Sequence, residues 1–340
     1  MMVKPETISI IIPAYNEESR IERALDSIRG QTIEYGQIEI LVIDGGSNDR
    51  TREIATQYNA LVYNNEKTVP EEAKRIGLQN CKGKYVVFMD ADEEFISPYQ
   101  LEMRLLLFQN NPEVKAVIAS GSHTPNLLPS LSRYANSFGD PFSYFLYRFD
   151  GENIGLCLEK QKYPSKSNSG KIYYASNRRI PIGDSGTTML DFEYLTEHFK
   201  HRFSEPDFVS TKFFEVVNKS GCFGIVEGDI INHYSTVSFC TYLKKLKFRV
   251  VNNLFHEDNI SGFTARSKLN NELKHRKYLF LVYCALFPIV LIDSVMMAVQ
   301  KKSLTFMLHF VFVYYVLFQI AFHIFLMAFG KNPVSVIYGE

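Results

Sequence analysis

Two carboxylates, Asp90 and Asp92 of Asp90-Ala91-Asp92, follow directly on the apolar run Tyr85-Val86-Val87-Phe88-Met89. Side chains leaving the end of a buried strand reach solvent where a sheet opens. Hard oxygen donors at such an edge suit a divalent cation, and a cation held there can also grip a diphosphate. Two more polar clusters follow apolar runs in the same way. Pro13-Ala14-Tyr15-Asn16-Glu17 comes after Ile8–Ile12, and Asp44-Gly45-Gly46-Ser47-Asn48-Asp49 comes after Ile38–Ile43.

Elements able to hold these clusters side by side are legible in the same stretch. Ile8–Ile12, Ile38–Ile43, Ala60–Tyr63, Tyr85–Met89 and Val114–Ala119 are short, nearly continuous apolar runs, the pattern of strands buried on both faces. Ile21, Ala24, Leu25 and Ile28 are spaced as one face of a helix between the first two strands. Thr51–Tyr58, Glu71–Asn80 and Pro98–Asn110 are further helix candidates, the last with proline near its start. Strands alternating with helices predict an α/β fold with a mostly parallel sheet covered by helices on both faces. Ligands bind such sheets beyond the carboxyl ends of the strands, where all three clusters fall.

Beyond Gly121 the periodicity fades. Asn126–Phe149 is aromatic with few charges, and Lys160–Lys171 reads as a mobile loop. Ser204–Val217 is helix-like and Phe223–Ile231 strand-like. Tyr278–Val299, broken only by Asp293 and Ser294, and Leu304–Phe329 are both long and apolar. At roughly 1.5 Å per residue each is long enough for a hydrocarbon core of roughly 30 Å. Only Gln300–Ser303 separates them, so a two-helix transmembrane hairpin is expected. Val237–Lys277 carries nine Lys/Arg against three Asp/Glu, with Phe239, Leu243, Leu246, Val250 and Leu254 at helical spacing. That composition reads as a basic helix lying on anionic headgroups, against the plainer reading of a solvated helix packed on its own domain. The excess of positive charge beside the hairpin puts the large domain in the cytoplasm.

Composition narrows the partners. Lys+Arg and Asp+Glu both number 37, so there is no global basic field to attract nucleic acid. The five cysteines lack CxxC spacing and read as free thiols in a reducing compartment. The N-terminal MMVKPETISIII reads as a first strand and not as a secretion signal.

Ile10-Ile11-Ile12-Pro13-Ala14-Tyr15-Asn16-Glu17, Val42-Ile43-Asp44-Gly45-Gly46-Ser47-Asn48-Asp49-Arg50-Thr51 and Phe88-Met89-Asp90-Ala91-Asp92, in that order and spacing, resemble family 2 glycosyltransferases. These are inverting enzymes of the GT-A fold that use nucleotide-sugar donors. The resemblance covers the first 100 residues and thins after Ser120. It implies that Pro13, Tyr15 and Glu17 form the loop beneath the base and ribose, where Asn16 also suits a helix N-cap. It implies that Asp44 bonds the base or ribose, although an Asp-Gly turn would need the same residue. Asp92 would bind a divalent cation, Mn2+ or Mg2+, bridging the diphosphate, and Asp90 would face the ribose or the metal. Glu93 and Glu94 read as solvated charges at the start of the next helix. Ala73-Lys74-Arg75-Ile76-Gly77 aligns with a family helix that usually reads Ala-Arg-Asn-x-Gly, which puts Lys74 in the arginine position near the diphosphate.

On the acceptor side the family's acidic pair finds its nearest match in Ser204-Glu205-Pro206-Asp207-Phe208. Asp207 becomes the candidate general base and Glu205 its reserve, with Asp191 and Asp184 behind them. The plain alternative for the pair is an acidic N-terminus complementing a helix dipole. His233 matches a histidine that could approach the diphosphate or metal, or serve as a buried structural residue. Processive synthases of the family carry Gln-x-x-Arg-Trp and several spans; this chain has no tryptophan and two expected spans. One sugar passed to a lipid-linked or glycolipid acceptor at a membrane is therefore the expected function. The alternatives are a polyprenyl-phosphate glycosyltransferase and an inactive nucleotide-sugar-binding scaffold. The expected organisation is a donor half over 1–120, an acceptor half over 121–236, a basic interfacial segment over 237–277 and two membrane helices over 278–330.

Overall fold

The structure, a computed structural model, describes residues 7–175, 187–205, 207–255 and 271–331. Two compact units emerge: one of Met1–His123 with Glu152–Tyr234, the other of Thr124–Gly151 with Ser235–Glu340.

The first unit is built on a nine-stranded sheet in the order β3-β2-β1-β4-β10-β6-β11-β9-β8. Its strands are β1 (Ile8–Ala14), β2 (Ile38–Asp44), β3 (Leu61–Asn64), β4 (Tyr85–Phe88), β6 (Ala116–Ile118), β8 (Ser165–Ser167), β9 (Lys171–Tyr174), β10 (Thr188–Asp191) and β11 (Cys222–Ile225). A second sheet, in the order β5-β12-β7, joins β5 (Glu93–Phe95), β7 (Gly121–His123) and β12 (Ile230–His233). The helices are α1 (Ile21–Arg29), α2 (Thr51–Gln57), α3 (Pro70–Asn80), α4 (Gln100–Asn110), α7 (Ile154–Lys160), α8 (Phe192–Phe199) and α9 (Phe208–Ser220).

The apolar runs become strands because their Ile and Val side chains are shielded on both sides: Ile8, Ile10, Ile11 and Ile12 of β1 are wholly buried. Ile21, Ala24, Leu25 and Ile28 of α1 form its buried stripe. The sheet is parallel through β3-β2-β1-β4 as expected, but mixed beyond it, since β10 runs antiparallel to both β4 and β6. The single strand expected over Phe223–Ile231 is instead two short strands in different sheets, β11 and β12, with Gly228 between them at φ +76°. The stretch expected to be a mobile loop contains β8, which pairs with β9.

Register aligns the chemistry. Ala14 pairs with Asp44 and Ile11 with Phe88, so the loops after β1, β2 and β4 leave the sheet side by side. One contact fixes α3 above them: a Cβ on Gly77 would lie 2.3 Å from Cγ2 of Ile11, so only glycine lets the helix approach β1 this closely.

The second unit is helical: α5 (Ser130–Phe138), α6 (Pro141–Tyr147), α10 (Phe239–Leu254), α11 (Asn271–Ala285), α12 (Phe287–Lys301) and α13 (Leu308–Ala328). Buried Tyr134 centres its core, ringed by Phe138, Tyr242, Phe306 and Phe312, and its hydroxyl meets Nδ1 of His309 at 2.7 Å. The expected hairpin of two spans takes a different form. Leu304–Ala328 is long and apolar enough to cross a bilayer, but the earlier segment breaks at Leu286, where His275–Ala285 and Phe287–Lys301 meet at 92°. Pro288 explains the break: without an N–H it cannot continue α11, yet it fits the first turn of a new helix. Asp293, the charge inside that segment, accepts from Arg148 at 2.6 Å and from the Tyr283 hydroxyl at 2.8 Å. Of the expected basic segment, 256–270 lie outside the described residues.

Candidate functional site

The first two loops are stitched together by backbone donors. Asn16, at φ 54°, donates its N–H to Ser47 Oγ, and its own side chain accepts from the N–H of Asn48. Glu17 donates its N–H to Thr51 Oγ1 at 2.8 Å. Asn16 is therefore a left-handed tie between loops and not a helix N-cap, a conformation asparagine tolerates better than most residues. Tyr15 is exposed on the same loop, whereas Pro13 is half-buried in β1.

Asp44 is buried and bonded within its surroundings. It accepts from the N–H groups of Gly46 and Ser47, from Ser47 Oγ at 2.5 Å, and from Arg52 at 2.8 Å. Burial by itself would raise the carboxyl, but the bonds from Ser47, Arg52 and the backbone outweigh it and hold the group below the usual range. Arg52 also reaches Asn64 Oδ1 at 2.8 Å, tying the β2 loop to the end of β3.

Asp90 and Lys74 meet: Nζ lies 2.9 Å from Oδ1, and the Asp90 side chain is nearly half exposed. Arg75 turns away to Glu72 at 2.7 Å, so Lys74 is the cation that α3 presents to the acidic triplet.

Asp92 sits opposite His233, with Nε2 3.6 Å from Oδ2, and Arg20 NH1 is 3.9 Å from the same oxygen. The small sheet makes this meeting. β12 pairs antiparallel with β5 so that His233 lies across from Glu93, and Tyr234 donates its N–H to the Asp92 carbonyl at 2.7 Å. Burial would raise Asp92, yet His233 and Arg20 hold it low. The same acidic surroundings, Asp92 first, overcome burial and push His233 up to about 9.

Glu93 and Glu94 are neither solvated nor in a helix. Glu93 is buried in β5 and accepts the Asp90 N–H, its carboxyl pushed up to about 7 by burial and by the charge of Asp90. Glu94 accepts from Asn232 and from the Tyr234 hydroxyl. The reason is the pairing with β12, which a local reading of residues 90–100 does not contain.

Arg20 is the residue that sequence reasoning passed over. Its guanidinium pairs with Glu17 at 2.6 Å and faces Asp92, linking the first and third motifs. The Glu17–Arg20 spacing of three was the available signal. Burial, with Asp92 and Asp49 adding to it against Arg20, pushes the Glu17 carboxyl up to about 7.

Asp207 and Glu205 belong to a separate cluster before α9. Arg202 holds Glu205 at 2.7 Å, Asp207 at 3.1 Å and Glu215 at 2.7 Å. Asp207 occupies the N-cap position of α9 but caps no backbone N–H with its side chain. Farther along the same helix, the buried Lys212 lies 4.3 Å over the ring of Phe88, so α9 packs at the end of β4, just before Asp90 and Asp92. Asp191 caps α8 through the Tyr194 N–H and pairs with Lys115 at 2.8 Å, a structural role. Asp184 and Pro206 lie outside the described residues. Among the described residues no group of three or more metal-binding side chains is assembled.

Parallel strands ending in an acidic pair, a glycine-bearing loop and a facing cation agree with the match of residues 9–197 to the model of glycosyl transferase family 2. The chain belongs to this family. The fold is accordingly a mixed α/β, GT-A-like fold around a central sheet. Similar proteins include glycosyltransferase GlyA of Streptococcus pneumoniae, 31% identical over 197 residues, which covers 54% of this chain and 27% of the relative. Glycosyltransferase AglE of Haloferax volcanii is 35% identical over 99 residues, 27% of this chain and 32% of the relative. The minor teichoic acid biosynthesis protein GgaA of Bacillus subtilis is 34% identical over 96 residues, 26% of this chain and 22% of the relative. The matched stretches thus span about a quarter to a third of these relatives' length. Among solved structures, S. aureus TarS 1–349 is similar, with 16% identity, coverage of 81% of this chain and 72% of that one, and a TM-score of 0.49.

Proposed function

We propose that the chain is an inverting glycosyltransferase that passes one sugar from a nucleotide-diphosphate donor to a lipid-linked acceptor at the cytoplasmic face of a membrane. The observation that carries this is the meeting of Lys74, Asp90, Asp92, Arg20 and His233 at neighbouring strand ends. In this reading residues 1–120 bind the donor and 121–236 the acceptor. The Pro13–Glu17 loop, with Tyr15 exposed, and the Asp44 loop hold the nucleoside. Lys74 offers its charge to the diphosphate.

Asp92, with Asp90 two residues before it and His233 beside it, would hold Mn2+ or Mg2+. One or two carboxylates completed by substrate phosphates is a donor set that suits these hard cations without an all-protein cage. A bound cation neutralises charge on the departing nucleoside diphosphate. Asp207, with Glu205 in reserve, takes the proton from an acceptor hydroxyl attacking opposite the leaving group. GgaA's name supports an acceptor of the cell-surface glycan class. The apolar helices of the second unit and the lysines of α10 support attachment to the membrane.

One observation favours a second reading. The Arg202 guanidinium stands 3.1 Å from Asp207 and ties its carboxylate into an ion pair, away from an incoming hydroxyl. A polyprenyl phosphate acceptor is already anionic and needs little base, so transfer to that lipid suits a restrained carboxylate better.

A screen of UDP-, GDP- and dTDP-sugars with membrane lipid extract and Mn2+ or Mg2+, read by mass detection of products, tests both. Product on a lipid-linked sugar supports the first and product on polyprenyl phosphate the second. Absence of both transfer and donor hydrolysis overturns catalysis and leaves a nucleotide-sugar-binding scaffold.

A further inference from the structure

We infer that the second unit docks onto an anionic lipid bilayer from one side, with α12 and α13 lying in the plane of the interface, so that α13 does not cross it. This rests on the membrane attachment proposed above and specifies its geometry.

By length and composition α13 can span: with the turn before it, Leu304–Ala328 is 25 residues and contains an 18-residue stretch at a mean hydropathy of 2.1. Up to His323 its surroundings are two-sided, however. All three of its polar anchors, His309, Gln319 and His323, lie on the buried face, while Val311, Phe318, Phe322 and Phe325 are exposed on the other. α10 runs along the buried side in the same direction. Phe239 and Tyr242 meet Phe312 at 5.8 and 4.7 Å, and Phe255, just past the end of α10, meets His323 at 5.6 Å. The shared stretch from Phe312 to His323 covers roughly 16 Å at the helical rise and forms the middle of α13. Lys244 and Lys247, exposed on α10, therefore stand level with that middle.

Were α13 upright in a bilayer, those ammonium groups would lie at the depth of the hydrocarbon, where charge is costly. Laid flat, α13 places the phenylalanines in the apolar boundary and keeps the same lysines out of the hydrocarbon.

α12 repeats the pattern. Its Val290, Ser294, Met297 and Ala298 are buried on one side, while Ile292, Val295, Met296 and Val299 are exposed on the other. Its 15 residues fall short of the roughly 20 that a span requires. The 92° bend before it removes the only way to lengthen it. Of the 29 large apolar side chains exposed among the described residues, 20 lie between Tyr278 and Phe329, far more than a free surface in water sustains. Lys302, exposed at the end of α12, complements anionic headgroups.

The test uses the full chain with an epitope after Glu340, alone and with Lys302→Cys, in sealed right-side-out and inside-out vesicles of the expression host. Protease reads the epitope. Membrane-impermeant polyethylene-glycol maleimide reads the thiol introduced at position 302 as an added gel shift over the parent, whose Cys240 is exposed. Both sites are expected to be open in inside-out vesicles and protected in right-side-out ones. An epitope on the opposite face means that α13 crosses, and an introduced thiol on the opposite face means a two-span hairpin; either overturns the in-plane geometry alone. A chain recovered in the soluble fraction overturns membrane attachment itself.

Discussion

Lys74 Nζ stands 2.9 Å from Asp90 Oδ1, and the two come from different segments: the lysine from α3, the carboxylate from the turn after β4. A cation held against a carboxylate at the mouth of a sheet is poised to exchange that partner for a phosphate. Lys74→Ala is expected to lower kcat/KM for the nucleotide-sugar about 10- to 100-fold, the scale of one charge-assisted hydrogen bond. Lys74→Arg should recover most of the loss. Steady-state kinetics with the donor varied will show it, and unchanged kcat/KM in the alanine variant would remove Lys74 from the site.

The placement of that lysine depends on Gly77. Gly77→Ala brings a methyl group to 2.3 Å from Ile11 Cγ2, so either the buried Ile11 side chain or α3 must shift. The expected cost is about 1–3 kcal/mol, typical of an overpacked core. Thermal unfolding should show a lower midpoint, and donor KM should rise with it as Lys74 is displaced.

Asp44 offers a pH test. Its folded carboxyl is held below the unfolded value by Ser47, Arg52 and backbone donors. A lowered carboxyl contributes stability that is present above the unfolded value and lost as pH falls through the folded one. Asp44→Asn should therefore unfold at lower temperature than wild type at neutral pH, and the gap should close in acid. A gap that stays constant down to strong acid would contradict the assignment.

Chelation separates a metal role for Asp92 from a purely structural one. EDTA is expected to abolish transfer by wild type, and Mn2+ or Mg2+ to restore it. In Asp92→Ala the added metal should restore little, with the donor held more weakly in equilibrium binding. Full activity in Asp92→Ala refutes the assignment.

Asp207→Asn distinguishes the acceptor chemistries. With a hydroxyl acceptor the loss of a general base should cost about 10²- to 10⁴-fold in kcat while donor binding is unchanged. Retained turnover, measured with the acceptor identified in the donor screen, would point to an anionic phosphate acceptor.

The donor side was legible because two short-range signals coincide there. Runs such as Ile8–Ile12 can satisfy their burial only inside a sheet, and the polar residues that follow must lie at its carboxyl edge. The departures around the acidic triplet share one cause, contact between distant segments. Glu93 reads as a surface charge until β12 returns to pair with β5 and buries it. Arg20 becomes meaningful only when Asp92 arrives opposite it, whereas Asp207 meets Arg202 only five residues back in the chain. In the apolar C-terminal segment, hydropathy averaged over Tyr278–Val299 concealed Pro288, one residue whose missing N–H redirects the helix.

The pairing of β12 with β5 also sets a timetable. Tyr234 and Glu94, bonded neighbours in the finished fold, are 140 residues apart in the chain. At about 5–20 residues per second of synthesis, the acidic triplet leaves the ribosome roughly 7–28 s before the strand that brings His233 to it. During that interval the nascent chain carries a cluster of carboxylates without its imidazole partner. The last piece of the small sheet to be made is also the one that completes it, so a ribosome stalled short of residue 230 would release a protein with an unfinished acidic pocket.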